Sequence, residues 1–223
     1  MTDTHTLAPP DFAAARRHMI ESQLRPSDVS DPVVIAAMAV TRREDFVPAG
    51  QQHLAYIDRS VPLGGGRVIN PALSTGLLLT RAELSGNDKV LLIGAGTGYV
   101  AALLAGIVAH VVAVEDDRAL VEHATTALSG MANVSVIESP LAQGHAADAP
   151  YDLIIIDGAV QQVPEAILAQ LAEGGRLLAG VDENGVSRLA TGRRQGGAFA
   201  LIPFADTDIA PLAAFARPKS YSF

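Results

Sequence analysis

The stretch Val90-Leu-Leu-Ile-Gly-Ala-Gly-Thr-Gly-Tyr99 decides the reading of this chain. Val90 to Ile93 is an aliphatic run suited to a buried strand, and it breaks into glycines at alternate positions: Gly94, Gly96 and Gly98. Without a Cβ, the backbone there can turn sharply and lie against a ligand. A second aliphatic run, Val111 to Val114, ends on Glu115. Nucleotide-binding α/β folds hold ribose hydroxyls with a carboxylate at that place. An adenosine-containing cofactor is therefore expected at this loop, and a cofactor-dependent enzyme rather than a binding module.

Working outward, strands are expected near 89–93, 110–115, 134–137, 151–157 and 175–180. Helices are expected near 98–107, 117–129 and 164–172, the last opening at Pro164. Such alternation marks an α/β fold with a mostly parallel sheet covered by helices on both faces. Residues 186–191 and 198–204 fit an antiparallel hairpin turning at Gly196-Gly197. Upstream, Asp11 can cap a helix running to about Leu24, and Ser30-Asp31-Pro32 opens another through about Val40. Val61-Pro-Leu-Gly-Gly-Gly-Arg67 reads as a flexible loop, and Pro71 starts a helix reaching about Arg81. Residues 1–10 read as a disordered leader. The remainder, 11–223, reads as a single domain, with a helical section (11–82) packed on a cofactor-binding α/β section (83–223).

Composition narrows the function classes. A net charge of −8 argues against a nucleic acid or an anionic membrane held by bulk electrostatics. Hydrophobic residues at 49% imply a well-filled core, and with aromatics at 4% that core must be built from Ala, Val, Leu and Ile. The absence of cysteine excludes disulfides, thiolate zinc sites and thiol nucleophiles, and it is compatible with a cytoplasmic protein. Met1 to Leu7 lacks the basic and apolar regions of a secretory signal. Val100 to Val114 is too short to span a bilayer and is interrupted by Gly106 and His110. The histidines are scattered without ligand spacing, so no metal site is expected. The apolar content permits a dimer without requiring one.

The glycine loop admits three readings: a purely structural turn, a dinucleotide site, or an S-adenosylmethionine site. The dinucleotide fingerprint wants Gly-x-Gly-x-x-Gly beside a pyrophosphate. Here the spacing is Gly-x-Gly-x-Gly, and the unit follows a helical section instead of opening the chain. S-adenosylmethionine has no phosphate and needs a close-lying backbone, which fits Gly94, Ala95, Gly96, Thr97 and Gly98 best, with Glu115 and Asp116 toward ribose. A solvated strand end or a helix cap is the alternative for these carboxylates; one can cap while another binds ribose, and Glu115 is preferred for ribose because it directly ends the apolar run.

Several blocks resemble the protein-L-isoaspartate O-methyltransferase family over nearly the whole chain. They are Met19-Ile-Glu-Ser-Gln-Leu-Arg25, Arg43-Glu-Asp-Phe-Val-Pro48, Ala55-Tyr-Ile-Asp-Arg59, Pro62-Leu-Gly-Gly-Gly66, the glycine loop, Ala149-Pro-Tyr-Asp-Leu-Ile-Ile-Ile156, Val163-Pro-Glu-Ala-Ile-Leu168 and Glu173-Gly-Gly-Arg-Leu177. The glycine loop alone would indicate only the wider methyltransferase group, whereas the N-terminal blocks are family-specific. The resemblance implies a class I methyltransferase fold and S-adenosylmethionine as cofactor. It also implies a protein or peptide substrate whose L-isoaspartyl carboxylate receives the methyl, which begins repair of damaged proteins.

Three segments depart from the family pattern. The family's active loop reads Gly-x-Gly-x-Thr-Ile-Ser-x-Pro, with the serine hydroxyl beside the reacting carboxylate. Here Gly64-Gly-Gly-Arg-Val-Ile-Asn-Pro71 is one residue shorter and has Asn70 at the serine position. Asn70 is thus the candidate catalytic residue, with Ile69 and Pro71 beside it as substrate contacts; its alternative role is to cap the helix at Pro71. After the third strand the family's Gly-Asp-Gly is replaced by Val136-Ile-Glu-Ser-Pro-Leu141, leaving Glu138 or Ser139 to take the adenine contact. Asp157, in Asp157-Gly158-Ala159, stands at the carboxyl edge of the sheet, as a cofactor or substrate contact or as a turn cap. A negative charge near a carboxylate acceptor is unhelpful. Hence two further expectations stand beside the isoaspartyl one: another acceptor on the same fold, or a scaffold that binds cofactor with impaired catalysis.

Overall fold

A computed structural model describes residues 11–183 and 185–217; the leader expected over 1–10 lies outside them. The chain opens with α1 (Phe12–Met19), whose N-terminus is capped by Asp11 accepting from the Ala14 N–H at 2.9 Å. The single helix expected to Leu24 instead widens into a π-helical turn, Ile20–Leu24, and ends in a 3₁₀ turn, Arg25–Ser27. Pro26 has no N–H to continue the ladder, which accounts for the ending. Asp31 caps α2 (Pro32–Val40) by accepting from Val33 and Val34.

Residues 61–67, expected as a flexible loop, form an antiparallel hairpin of β1 (Val61–Gly64) and β2 (Arg67–Ile69). Gly64, Gly65 and Gly66 adopt φ of 97°, 56° and 79°, so the run that weakens regular structure also makes this tight reversal possible. Next come α3 (Ala72–Arg81), β3 (Lys89–Ile93), α4 (Tyr99–Ala105), β4 (His110–Glu115), α5 (Arg118–Ala127), β5 (Val134–Glu138) and β6 (Tyr151–Val160). The helix expected over 164–172 is a single turn, α6 (Glu165–Leu168), because Leu171 already begins β7 (Leu171–Glu183). A short apolar run such as Ile167 to Leu171 has no periodicity that separates helix from strand. β8 (Val186–Arg193) and β9 (Ile202–Asp206) complete the expected C-terminal hairpin.

The strand order is β5-β4-β3-β6-β7-β8-β9, parallel from β5 to β7 and antiparallel beyond. Alternate residues feed two cores. Val90, Leu92, Val111, Ala113, Leu153 and Ile155 face the N-terminal helices and α4. Leu91, Ile93, Val112, Val114, Ile154 and Ile156 face the other side with Tyr151, Ile167 and Phe215. This period of two is what a sheet buried on both faces requires. Among the described residues no helix is long and apolar enough to cross a membrane.

The order reverses at β3, with β4 and β5 on one side and β6 and β7 on the other. In open α/β sheets, ligands bind outside the carboxyl ends of the strands at such a point. Register sharpens the placement. Ile93 lies opposite both Val114 and Ile156, and Glu115 lies opposite Glu138. Glu115, Gly94 and Asp157 therefore follow one another, in that order, across the sheet's carboxyl edge.

Candidate active site

The glycine turn is anchored to its neighbouring strand. Gly94 and Ala95 donate N–H groups to the Val114 carbonyl at 2.9 and 3.0 Å. Gly94, Gly96 and Gly98 all have positive φ (82°, 55° and 100°), and Gly98 caps α4 in a left-handed conformation. The Thr97 hydroxyl donates to the Phe46 carbonyl at 2.7 Å and fastens the turn to the N-terminal section.

Glu115 is fully buried. Its Oε2 accepts from Gly96 N at 2.7 Å, and its Oε1 accepts from Asp116 N and Asp117 N at 3.0 and 3.2 Å. Arg67, from β2, completes the set with a two-pronged ion pair, Nη1 to Oε1 and Nη2 to Oε2, both 2.9 Å. Burial raises the Glu115 carboxyl above its ordinary range, and Arg67 and the backbone donors oppose that shift. Asp116 stands half-exposed with its carboxylate 3.5 Å from Arg67, while Asp117 caps α5.

Asn70 is buried and does not cap α3, whose N-cap is Pro71 without a side-chain bond. Its amide nitrogen donates to Asp157 Oδ1 at 2.9 Å and to the Asp157 carbonyl at 3.2 Å. Its amide oxygen accepts from Ala210 N at 2.9 Å. Burial pushes the Asp157 carboxyl up, against the lowering effects of Asn70, Arg67 and Arg43. Ile69 and Pro71 are buried beside Asn70.

A cavity of about 260 Å³ opens over this edge, lined by Gly65, Arg67, Asp116, Leu141 and Leu212, among others. Neither Glu138, exposed at the end of β5, nor Ser139, whose hydroxyl donates to the Gly144 carbonyl at 3.3 Å, is among its lining residues. The donor set suits S-adenosylmethionine in kind: a buried carboxylate at a strand end, glycines at alternate positions of the turn beside it, and an apolar wall at Leu141. The cradle is covered, however. A Cβ at Gly94 would fall 3.1 Å from Arg67 Nη2 and 3.3 Å from Leu212 Cδ1, so both side chains must give way before anything lies along the turn. Among the described residues no group of three or more His, Asp or Glu has metal-holding geometry.

Three residues of this site escaped the sequence reading. Arg67 carried a signal, as the basic residue directly after the glycine run and the one between Gly66 and Pro71. Arg43 is fully buried, with Nε donating to the Ala55 carbonyl, Nη2 to the Asn70 carbonyl, and its guanidinium 4.7 Å from the Tyr99 ring centroid. Leu212 belongs to a segment that crosses back over the sheet edge: Leu212 N donates to Ala159 O, and Ala159 N to Ala210 O. No local pattern marks it.

Comparison with known proteins bears on the family and the fold. The family model described as protein-L-isoaspartate(D-aspartate) O-methyltransferase matches residues 14–212. A protein-L-isoaspartate O-methyltransferase of Koribacter versatilis is 37% identical over 203 residues, 90% of this chain and 91% of that protein. One from Roseiflexus castenholzii is 37% identical over 204 residues, covering 91% and 93%. Among solved structures, a Plasmodium falciparum protein described as a putative protein-L-isoaspartate O-methyltransferase, in complex with S-adenosyl-L-homocysteine, superposes with a TM-score of 0.77 at 18% identity, covering 92% of this chain and all of that one. A second protein-L-isoaspartate O-methyltransferase structure gives the same score at 24% identity, over 89% of this chain and 66% of that chain. With its helical section, its sheet order and its glycine turn all inside the matched span, the chain belongs to the protein-L-isoaspartate(D-aspartate) O-methyltransferase family.

Proposed function

We propose that the protein transfers a methyl group from S-adenosylmethionine to the carboxylate of an L-isoaspartyl residue in a damaged protein or peptide, the step that starts its repair. The carrying observation is the row of Gly94, Glu115 and Asp157 at the switch point of a family-matched sheet. When bound, S-adenosylmethionine supplies an electrophilic methyl on a positively charged sulfur. The acceptor carboxylate is ionised at neutral pH, so no strong base is needed. The chain's task is alignment and exclusion of water. Glu115 would hold ribose, the Gly94–Gly98 backbone would lie along the methionyl part, and Leu141 would wall the adenine. With both partners held in line, the chain would let an acceptor oxygen take the methyl while sulfur keeps the C–S electron pair. The cysteine-free composition is consistent with a cytoplasmic setting.

A second reading, another acceptor on the same fold, is favoured by one observation. The Asn70 amide at the family's serine position spends both its nitrogen and its oxygen on internal partners. Radiolabelled methyl transfer to an isoaspartyl peptide and to its aspartyl counterpart separates the two. Transfer to the isoaspartyl peptide alone supports the first. S-adenosylhomocysteine binding without transfer to that peptide rejects the first and favours another acceptor or a scaffold with impaired catalysis.

A further inference from the structure

Arg67 holds the two oxygens that ribose hydroxyls would need. A carboxylate offers about four acceptor directions, and Glu115 already serves three backbone N–H groups besides the Arg67 fork. Ribose can reach Glu115 only when the fork lets go. The surroundings allow this movement. Arg67 follows three exposed glycines in the left-handed region, at the tip of a two-stranded hairpin, and its side chain is 13% exposed where that of Glu115 is 0%.

The acceptor carboxylate poses the complementary problem. It needs a donor near the methyl, yet Asn70 is saturated and Asp157 carries like charge. Arg43 is fully buried and fixed to two carbonyls and a ring. Among the described residues lining the cavity, Arg67 alone is cationic. Guanidinium is also the side chain best shaped to grip a carboxylate with two parallel bonds.

We propose that Arg67 exchanges carboxylates: it holds Glu115 until the cofactor's ribose takes that residue, and then seats the carboxylate of the methyl acceptor. Cofactor thereby precedes acceptor, and Arg67 replaces the missing active-loop hydroxyl as a substrate-binding group. This rests on the isoaspartyl reading above.

The test uses the full chain with Arg67→Ala and Arg67→Lys, S-adenosylhomocysteine titrated by calorimetry, and a labelled isoaspartyl peptide followed by fluorescence anisotropy. Arg67→Ala is expected to bind S-adenosylhomocysteine about tenfold or more tightly, since no charged hydrogen bond has to be broken first. At saturating S-adenosylhomocysteine the same variant should bind the isoaspartyl peptide about tenfold or more weakly. A peptide with that carboxylate converted to an amide should not distinguish it from wild type. Arg67→Lys keeps the charge without the fork and should fall between on both measurements, which covers the case of an unstable alanine variant. Wild type should bind the peptide better with S-adenosylhomocysteine than without. Unchanged or weaker S-adenosylhomocysteine binding by both variants overturns the proposal. So does unchanged peptide affinity in both variants when wild type binds and methylates the peptide, an outcome that leaves the isoaspartyl reading standing. Wild type that neither binds nor methylates the peptide overturns both.

Discussion

Asn70 and Asp157, 87 residues apart in the chain, are joined twice: the Asn70 amide nitrogen donates to the Asp157 carboxylate at 2.9 Å and to its carbonyl at 3.2 Å. The amide oxygen of Asn70 then accepts from Ala210. One side chain thus links the active loop, the end of β6 and the returning C-terminal segment. Asn70→Ala leaves a half-buried carboxylate and a backbone N–H without their partner. The expected loss is about 1–3 kcal/mol of unfolding free energy, read by urea denaturation. Asn70→Ser, which restores the family's hydroxyl, should recover only part, because one short hydroxyl cannot span both neighbours. An alanine variant as stable as wild type would mean that the bridge carries no weight.

Asp157 gives the bridge a pH dependence. Burial raises its folded-state pKa above the unfolded value of about 3.9. Between those two values the folded protein retains a proton that the unfolded chain has released. Stability from this group therefore falls as pH rises through the window. Asp157→Asn removes the titration while keeping an acceptor for Asn70. Its stability relative to wild type should rise as pH increases above about 4, followed by urea midpoints across a pH series. A difference between the two proteins that stays constant with pH would show that Asp157 titrates normally.

The Arg67–Glu115 pair should behave as a coupled unit. Removing Arg67 alone strands a fully buried carboxylate, at an expected cost of about 3 kcal/mol. Glu115→Gln alone strands a guanidinium that can still turn toward Asp116, 3.5 Å away, and should cost less. The double variant Arg67→Ala with Glu115→Gln should be more stable than the sum of the singles implies. Additive losses in a denaturation cycle would contradict the pairing. Glu115→Gln should also weaken S-adenosylhomocysteine binding by about 1–3 kcal/mol.

These pairs mark the boundary of what the sequence revealed. Local chemistry was readable where it acts locally: Asp31 before Pro32 as a helix cap, glycines after Ile93 as a turn, and Glu115 at the end of an aliphatic run. Strands alternating with helices, and unbroken aliphatic runs such as Val90 to Ile93 and Val111 to Val114, indicate a sheet covered on both faces, but strand order and register depend on long-range pairing that no local pattern states. Asn70 was noticed because it breaks a family pattern, but its bonding partner could not be read, since the contact depends on how β6 and the C-terminal segment meet. Arg67 lies 48 positions from Glu115 and looked like part of a turn. The three glycines ahead of it suggested slackness, although the same absence of side chains makes the tight hairpin that delivers Arg67 to its carboxylate.

Gly158 tests whether the C-terminal segment covers the cofactor edge. A Cβ there would fall 2.5 Å from Leu212 Cγ, closer than packed atoms approach, and 3.1 Å from the Ala210 carbonyl, a tight contact. Gly158→Ala must therefore push the segment outward, at about 1–3 kcal/mol for overpacking. Leu212 would leave its place over Gly94, and Ala210 would lose its bond to Asn70. Faster proteolysis between about 207 and 215 is expected, with tighter S-adenosylhomocysteine binding as the cradle is uncovered. Leu212→Ala uncovers the same cradle without a steric push and should also tighten binding, at the usual 2–5 kcal/mol for truncating a buried leucine. If both variants bind S-adenosylhomocysteine no better than wild type, then Leu212 is not a barrier, and displacement of Arg67 alone opens the site.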